Sequence, residues 1–106
     1  MEMVLQIKSE NLNKARDRLL KDEIVNRASL TFKEASGFGV DGYACYISGT
    51  DEQLNRALKV IKVKDDKENV TGTLAEKLED NKAREIIRKI KEEEDKASEG
   101  FGSFLG

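Results

Sequence analysis

Three segments of the chain alternate apolar and polar side chains in the way that half-buried β-strands do. They lie at residues 3–7, 28–32 and 43–47. Successive side chains of a strand point to opposite faces, so each segment would present one apolar and one polar face. We therefore predict three adjacent strands of one sheet, with helices shielding the apolar side.

Helical spacing fills the stretches between and after these strands. Apolar residues three and four apart predict a helix over about residues 10–23. Thr50, followed three residues later by Gln53, forms a capping box in which each side chain satisfies a free backbone N–H group. This pattern predicts the start of a second helix at residue 50.

A third helix is predicted over about residues 73–98. Thr73 and Glu76 repeat the capping-box spacing at its start, and three isoleucines share its apolar side, namely Ile86, Ile87 and Ile90. After it, residues 99–106 form a glycine-rich tail with Phe101, Phe104 and Leu105. We predict one domain over residues 1–98, with its core at 3–64, followed by this tail.

The order strand, helix, strand, strand, helix over residues 3–64 resembles that of ferredoxin-like modules such as RNA-recognition motifs and ACT ligand-sensing domains. A fourth strand would complete the unit, and the candidates are residues 61–64 and 68–71. The predicted fold class is therefore α+β. It is a ferredoxin-like βαββα(β) antiparallel sheet with helices on one face, plus a long C-terminal helix.

Such a sheet leaves one face open, and the third helix has apolar residues that need a partner. In the favoured arrangement this helix folds over its own sheet. In the alternative it reaches a second copy of the chain, with Ile86, Ile87 and Ile90 buried across a two-fold axis. The sequence thus allows a homodimer.

Composition indicates what kind of organism and which cellular compartment the protein suits. In 106 residues, 38% are charged, proline is absent and the net charge is -2. Abundant Lys and Glu on exposed helix faces are typical of thermophilic proteins. A single cysteine, Cys45, forms no internal disulfide. The first residues lack the pattern of a signal peptide and no segment is apolar enough to span a membrane, so we expect a cytoplasmic protein.

Histidine is absent from the chain. This removes the usual general base near neutral pH and the commonest ligand of zinc and iron. No spacing singles out a pair of carboxylates, a lysine or a tyrosine for catalysis. We therefore predict a protein that is not an enzyme and that has no catalytic residues, no metal site and no cofactor.

One motif carries a candidate binding role. Residues 37–42 match G-x-G-x-x-G, but a strand follows the glycines where a dinucleotide-binding fold needs a helix. The favoured interpretation is a flexible hairpin loop with an exposed Phe38 at its tip. The functional interpretation assigns ligand or partner contacts to the loop and the nearby sheet, through Gly37, Phe38, Gly39, Asp41, Gly42 and Tyr46.

Nucleic-acid binding ranks low on two observations. Residues 1–50 carry seven basic and seven acidic side chains, and the second half is slightly acidic, so no basic excess is visible. An RNA-recognition motif would also show several aromatic residues on its open face, where this chain has only Tyr46.

The sequence favours a non-catalytic binding or adaptor module that acts through protein–protein contacts. The expected docking residues are the third helix (Ile86, Ile87, Ile90) and the tail (Phe101, Phe104, Leu105). A small-ligand-sensing, ACT-like domain that uses the Gly37–Gly42 loop is the second hypothesis, and an RNA-binding module is the third.

Overall fold

The computed structural model describes the backbone of residues 1–105 and the side chains of residues 1–94. It contains three helices: α1 (Leu12–Lys21), α2 (Asp51–Val60) and α3 (Asp80–Leu105). The strands are β1 (Glu2–Ile7), β2 (Ser29–Glu34), β3 (Tyr43–Ser48), β4 (Lys62–Lys64), β5 (Val70–Thr73) and β6 (Glu76–Lys77). The fold class is α+β, as predicted.

The main sheet has four antiparallel strands in the order β2-β3-β1-β6. The three strands predicted from alternation are adjacent, with Leu5 opposite Cys45 and Cys45 opposite Phe32. These residues share one face because the side chains of facing positions in an antiparallel pair project to the same side. The prediction of three paired strands is confirmed.

Helices α1 and α2 cover one face of this sheet. Leu5, Ile7 and Ile47 from the strands pack with Leu19 from α1 and Leu54 from α2 in one buried cluster. Burial of apolar area in such a cluster contributes about 25 cal/mol per Å² and stabilises the sheet–helix layer. The side chains that the alternation placed inward are the ones that fill this layer.

Helix α3 covers the opposite face. Val4 and Ala44, on the side predicted to be open, pack against Ile86 and Ile90, and all four are 0–1% exposed. The favoured arrangement, in which the third helix folds over its own sheet, is the one in the structure. The sheet is thus enclosed on both faces, and its polar-looking second face is a second core.

The segment between α2 and α3 differs from the prediction. Residues 62–64 and 70–73 pair with each other as a two-stranded sheet, so neither candidate joins the main sheet. The fourth strand there is the short β6, which pairs with β1. Two polar residues carry no alternation signal. The hydrogen bond from Leu78 N–H to the Val4 carbonyl continues the pairing with β1 just beyond β6.

The predicted start of the third helix at residue 73 is wrong. The Thr73 hydroxyl is 2.6 Å from the Ala75 carbonyl, a short local hydrogen bond, and residues 70–73 are a strand. Threonine forms such local bonds in turns as readily as at helix starts, which is why the spacing misled. The capping box at Thr50 and Gln53 is confirmed by both of its hydrogen bonds.

Helix α3 ends at Leu105 and not near residue 98. Most of the tail predicted at residues 99–106 therefore belongs to α3. The predictions for Phe101, Phe104 and Leu105 concern side chains outside the described residues. None of the helices in the described part of the chain has the length and apolarity to cross a bilayer.

Candidate functional site

The glycine motif forms a tightly packed turn that is held beneath α3. A short 3-10 turn at Ser36–Phe38 leads into Gly39 and Gly42, both at positive φ. Gly42 also lies against the backbone of Ile7, leaving no room for a Cβ atom. The glycines at 39 and 42 are thus explained by backbone conformation and close approach.

Phe38 does not form an exposed tip, and this part of the prediction is wrong. Its side chain is 6% exposed and packs with Ala35, Ala83 and Ile86 between the loop and α3. The loop folds back because Phe38 can bury its ring under the helix. An aromatic at this position therefore serves the second core and not a surface contact.

Helix α3 also holds this turn through polar contacts. Lys82 Nζ donates a hydrogen bond of 2.7 Å to the Phe38 carbonyl, and Lys89 Nζ lies 5.8 Å from the centroid of the Phe38 ring. The Gln6 amide donates to the Asp41 carbonyl at 3.0 Å. The backbone groups of the loop that a ligand would use are in part already bonded within the chain.

Tyr46 takes part in a polar cluster at the edge of the second core. Its hydroxyl donates a hydrogen bond of 2.6 Å to Glu2 Oε1, and Lys91 Nζ donates to the same oxygen at 3.2 Å. The hydrogen bond from Tyr46, followed by that from Lys91, lowers the pKa of Glu2 below its ordinary value despite partial burial. The cluster links β1 and β3 to α3.

Replacing Tyr46 with phenylalanine is expected to raise the pKa of Glu2 towards its ordinary value, because the largest stabilising contact of the carboxylate is lost. A lowered folded-state pKa gives stability that is present above the unfolded value, near 4.5, and is lost as pH falls through the folded value. The variant should therefore have a lower free energy of unfolding at neutral pH, and this free energy should change less as the pH is lowered.

An NMR titration of the Glu2 carboxyl measures this directly. Tyr43→Phe is the matched control, since no side-chain hydrogen bond from Tyr43 to Glu2 exists among the described side chains. An unchanged Glu2 titration in Tyr46→Phe would show that the hydroxyl does not hold the carboxylate.

The predicted docking residues on the third helix are buried in their own chain. Ile86 and Ile90 are 0% exposed, and Ile87 is 9% exposed. Ile86 and Ile90 cannot contact a partner while α3 stays on the sheet, whereas Ile87 lines two open grooves of the surface. Because Phe38, Ile86 and Ile90 are buried, a binding surface would have to be formed mainly by other residues.

A basic groove lies at the end of the helical layer, where the last turns of α1 and α2 meet β4. It is shallow, with a volume of about 440 Å³, and it is lined by one apolar and seven charged residues. Six of those are basic and one is acidic: Arg18, Lys21, Arg56, Lys59, Lys62 and Lys64, with Asp22. We refer to this surface as the basic groove.

Local structure explains why the basic residues gather there. Cations are favoured in the last turn of a helix, where the carbonyl ends of the helix dipole are exposed. Arg18, near the end of α1, donates to the carbonyls of Val60 and Lys62 at 3.4 and 3.0 Å, where α2 passes into β4. Arg18 thus connects α1 to the end of α2 and to β4, the three elements that form the walls of the groove.

Asp22 positions a second arginine. Its carboxylate accepts from Arg56 Nε at 2.8 Å and from the backbone N–H groups of Ile24 and Val25. Burial raises the pKa of Asp22, but the hydrogen bonds from Val25, Arg56 and Ile24 together lower it below the ordinary value. Asp22 is therefore ionised at neutral pH and holds Arg56 at the groove wall.

Three lysines of the groove remain available to a ligand. Lys59, Lys62 and Lys64 are exposed and, among the described side chains, have no carboxylate within 4.0 Å. Lys21 contacts Asp17 at 3.0 Å, but both side chains are well exposed and such a pair is weak. The groove thus combines two arginines held by hydrogen bonds with three exposed lysines that have no ion pair among the described side chains.

This surface is not visible in the charge summed over each half of the sequence. The groove draws six of the 19 basic residues and only one of the 21 acidic residues, so the rest of the chain is strongly acidic. The six residues come from three separate segments between positions 18 and 64. The sequence signal that indicates the groove is the position of Arg18, Lys21 and Lys59 near helix ends.

The described residues hold no cluster of three or more side chains suited to a metal ion. Cys45 is buried in the first core, where burial raises the pKa of its thiol to about 12. Comparisons of the chain with protein-family models, with curated proteins and with solved structures give no match.

Proposed function

We propose that this protein is a non-catalytic adaptor module that binds a short acidic segment of a partner protein in the basic groove. The observation that carries the proposal is the concentration of six basic side chains around one groove of an otherwise acidic chain. A locally positive groove attracts a negative segment and steers its approach. This is the class of function that the sequence favours, but the proposed contact surface is the basic groove and not α3.

The surrounding charge favours a short segment over a long polyanion. Outside the groove the chain has thirteen basic and twenty acidic residues, so a nucleic acid that extended past the groove would meet repulsion. No aromatic residue among the described side chains lines the groove, so bases would find no stacking partner there. An acidic peptide needs neither a long basic track nor stacking.

We further propose a ferredoxin-like topology for the first three strands, α1 and α2, with β6 in the place of the fourth strand. The order β2-β3-β1-β6 and the packing of α1 and α2 on one face support it. The β4–β5 hairpin is then an insertion before the fourth strand. This arrangement brings the ends of α1 and α2 together with β4 and so creates the basic groove.

α3 covers the sheet face that an RNA-recognition motif would use, so we consider RNA binding, the third hypothesis from the sequence, at this groove. It is therefore a competing outcome of the same binding experiment. Ligand sensing through the Gly37–Gly42 loop is tested separately by the glycine variants discussed below.

Reversing two groove charges is expected to weaken binding of a poly-glutamate peptide by about tenfold or more, because two unpaired cations become anions. The variant is Lys59→Glu with Lys62→Glu, and the readout is fluorescence anisotropy of the labelled peptide. The matched control is Lys14→Glu with Lys77→Glu, which changes net charge equally outside the groove. The control should bind within about twofold of the original chain.

The same titration is run with duplex DNA and with single-stranded RNA, at about 50 and 200 mM salt. Tighter binding of RNA or DNA, lost in the groove variant only, would replace the proposal with a nucleic-acid function. Equal weakening by the groove and control variants would show a general charge effect and overturn the assignment of the groove.

A further inference from the structure

The strand β2 lies at one edge of the main sheet, and the side of β2 that faces away from β3 has no paired strand among the described residues. Among the described residues β2 pairs only with β3. It is six residues long, whereas β6 at the opposite edge has two. A long open edge presents unpaired N–H and C=O groups to any other strand.

The hydrogen-bond pattern shows which backbone groups are free. Ala35 N–H bonds to the Gly42 carbonyl, so residues 35 and 42 are a hydrogen-bonded pair of the β2–β3 ladder. Such pairs alternate along antiparallel strands. The backbone groups of Leu30, Phe32 and Glu34 therefore point away from β3, toward the open side.

A second copy of the chain fits this edge. Leu30 and Phe32 are partly buried at the end of the first core. When two β2 strands run antiparallel about a two-fold axis at Thr31, Leu30 of each copy faces Phe32 of the other. Both are residues with free backbone groups, so the pairs are hydrogen-bonded and continue the apolar layer into the second copy.

The other side chains are compatible with this register. Thr31 faces Thr31, and Lys33 faces Ser29, so no two like charges lie directly opposite. Moving the axis to Phe32 would place Leu30 opposite Glu34 and an apolar residue beside a charge. The strand is thus its own best complement in one register, which favours a second copy over an unrelated peptide.

We propose that the protein forms a two-fold homodimer through antiparallel pairing of β2, which joins two four-stranded sheets into one. This interface differs from the one predicted through Ile86, Ile87 and Ile90, which are buried inside the chain. It lies on the edge of the sheet and does not depend on the basic groove. The dimer would carry two grooves.

A cysteine at Thr31 tests the register. Facing residues of a non-hydrogen-bonded antiparallel pair have Cα atoms about 4.5 Å apart, within the range that a disulfide spans. Thr31→Cys is therefore expected to form a covalent dimer under mild oxidation, seen on a non-reducing gel. Lys33→Cys, the matched control on the same face, is expected to remain uncrosslinked. Cys45 is buried in both variants.

Light scattering after size exclusion tests the dimer itself. The original chain should show twice the mass of the 11.9 kDa monomer, and Thr31→Glu, which opposes two carboxylates, should show one monomer mass. Circular dichroism establishes that Thr31→Glu is folded. A monomeric original chain would overturn the proposal, and crosslinking through Lys33→Cys in place of Thr31→Cys would overturn the register.

Discussion

Replacing Gly42 with alanine is expected to lower the free energy of unfolding by about 2–4 kcal/mol, as measured by urea denaturation. Two causes act together. The residue has φ of 81°, a conformation that alanine adopts only with strain, and an added Cβ would overlap the carbonyl oxygen of Ile7. Because Ile7 belongs to the first core, the central strand would have to shift.

The other two glycines of the motif provide graded controls. Gly39 has φ of 76°, but the nearest atom to an added Cβ is the flexible Lys82 Nζ at 3.6 Å, so Gly39→Ala should cost about 1 kcal/mol. Gly37 has an ordinary backbone and no atom within 4 Å, so Gly37→Ala should change stability by less than about 0.5 kcal/mol. Equal losses at all three positions would contradict the packed turn.

This series also separates structure from ligand binding. Gly37→Ala is expected to leave the fold intact, so any change in the response of the protein to small anions would come from the loop surface alone. A metabolite screen by thermal shift, run on the original chain and on Gly37→Ala, makes the comparison. Hits that Gly37→Ala abolishes would support the ligand-sensing hypothesis over the adaptor proposal.

Regular elements with a clear period were predictable from the sequence. The strands β1, β2 and β3 follow two-residue alternation, and α2 begins at a capping box that both hydrogen bonds confirm. In these places local preference and tertiary packing demand the same conformation. The placement of α3 over the second face was also expected, from the need of its isoleucines for a partner.

The segment around β6 could not be predicted, because its structure depends on distant residues. Glu76 and Lys77 are a strand only because β1 offers them an edge, and Thr73 bonds to Ala75 where its spacing with Glu76 indicated a helix start. Short polar segments have no periodic signal of their own. Tertiary pairing decides them.

The burial of Phe38 and the position of the basic groove also could not be predicted from local sequence patterns. An aromatic between two glycines is typical of an exposed loop tip, yet α3 lies over it and buries it. The six groove residues are spread between positions 18 and 64 and converge only when α1, α2 and β4 are assembled. A candidate site built from distant segments cannot be found from spacing along one segment.

Replacing Ile86 with alanine is expected to lower the free energy of unfolding by about 3 kcal/mol, because its side chain is 0% exposed beneath α3 and truncation leaves a cavity. Val70→Ala, at a residue 60% exposed, is the control and should change stability by less than about 0.5 kcal/mol. Both are measured by urea denaturation at a low protein concentration.

The concentration dependence of this loss separates α3 as part of its own core from α3 as a dimer contact. If Ile86 packs within the chain, the destabilisation caused by Ile86→Ala is the same at low and high protein concentration, since the substitution leaves the proposed β2 contact between copies unchanged. If Ile86 instead packs across two copies, the substitution weakens the dimer, and the original chain gains more stability from association than the variant as the protein concentration rises. A loss that grows with protein concentration would therefore move α3, and with it the cover over Phe38, from the chain to its partner.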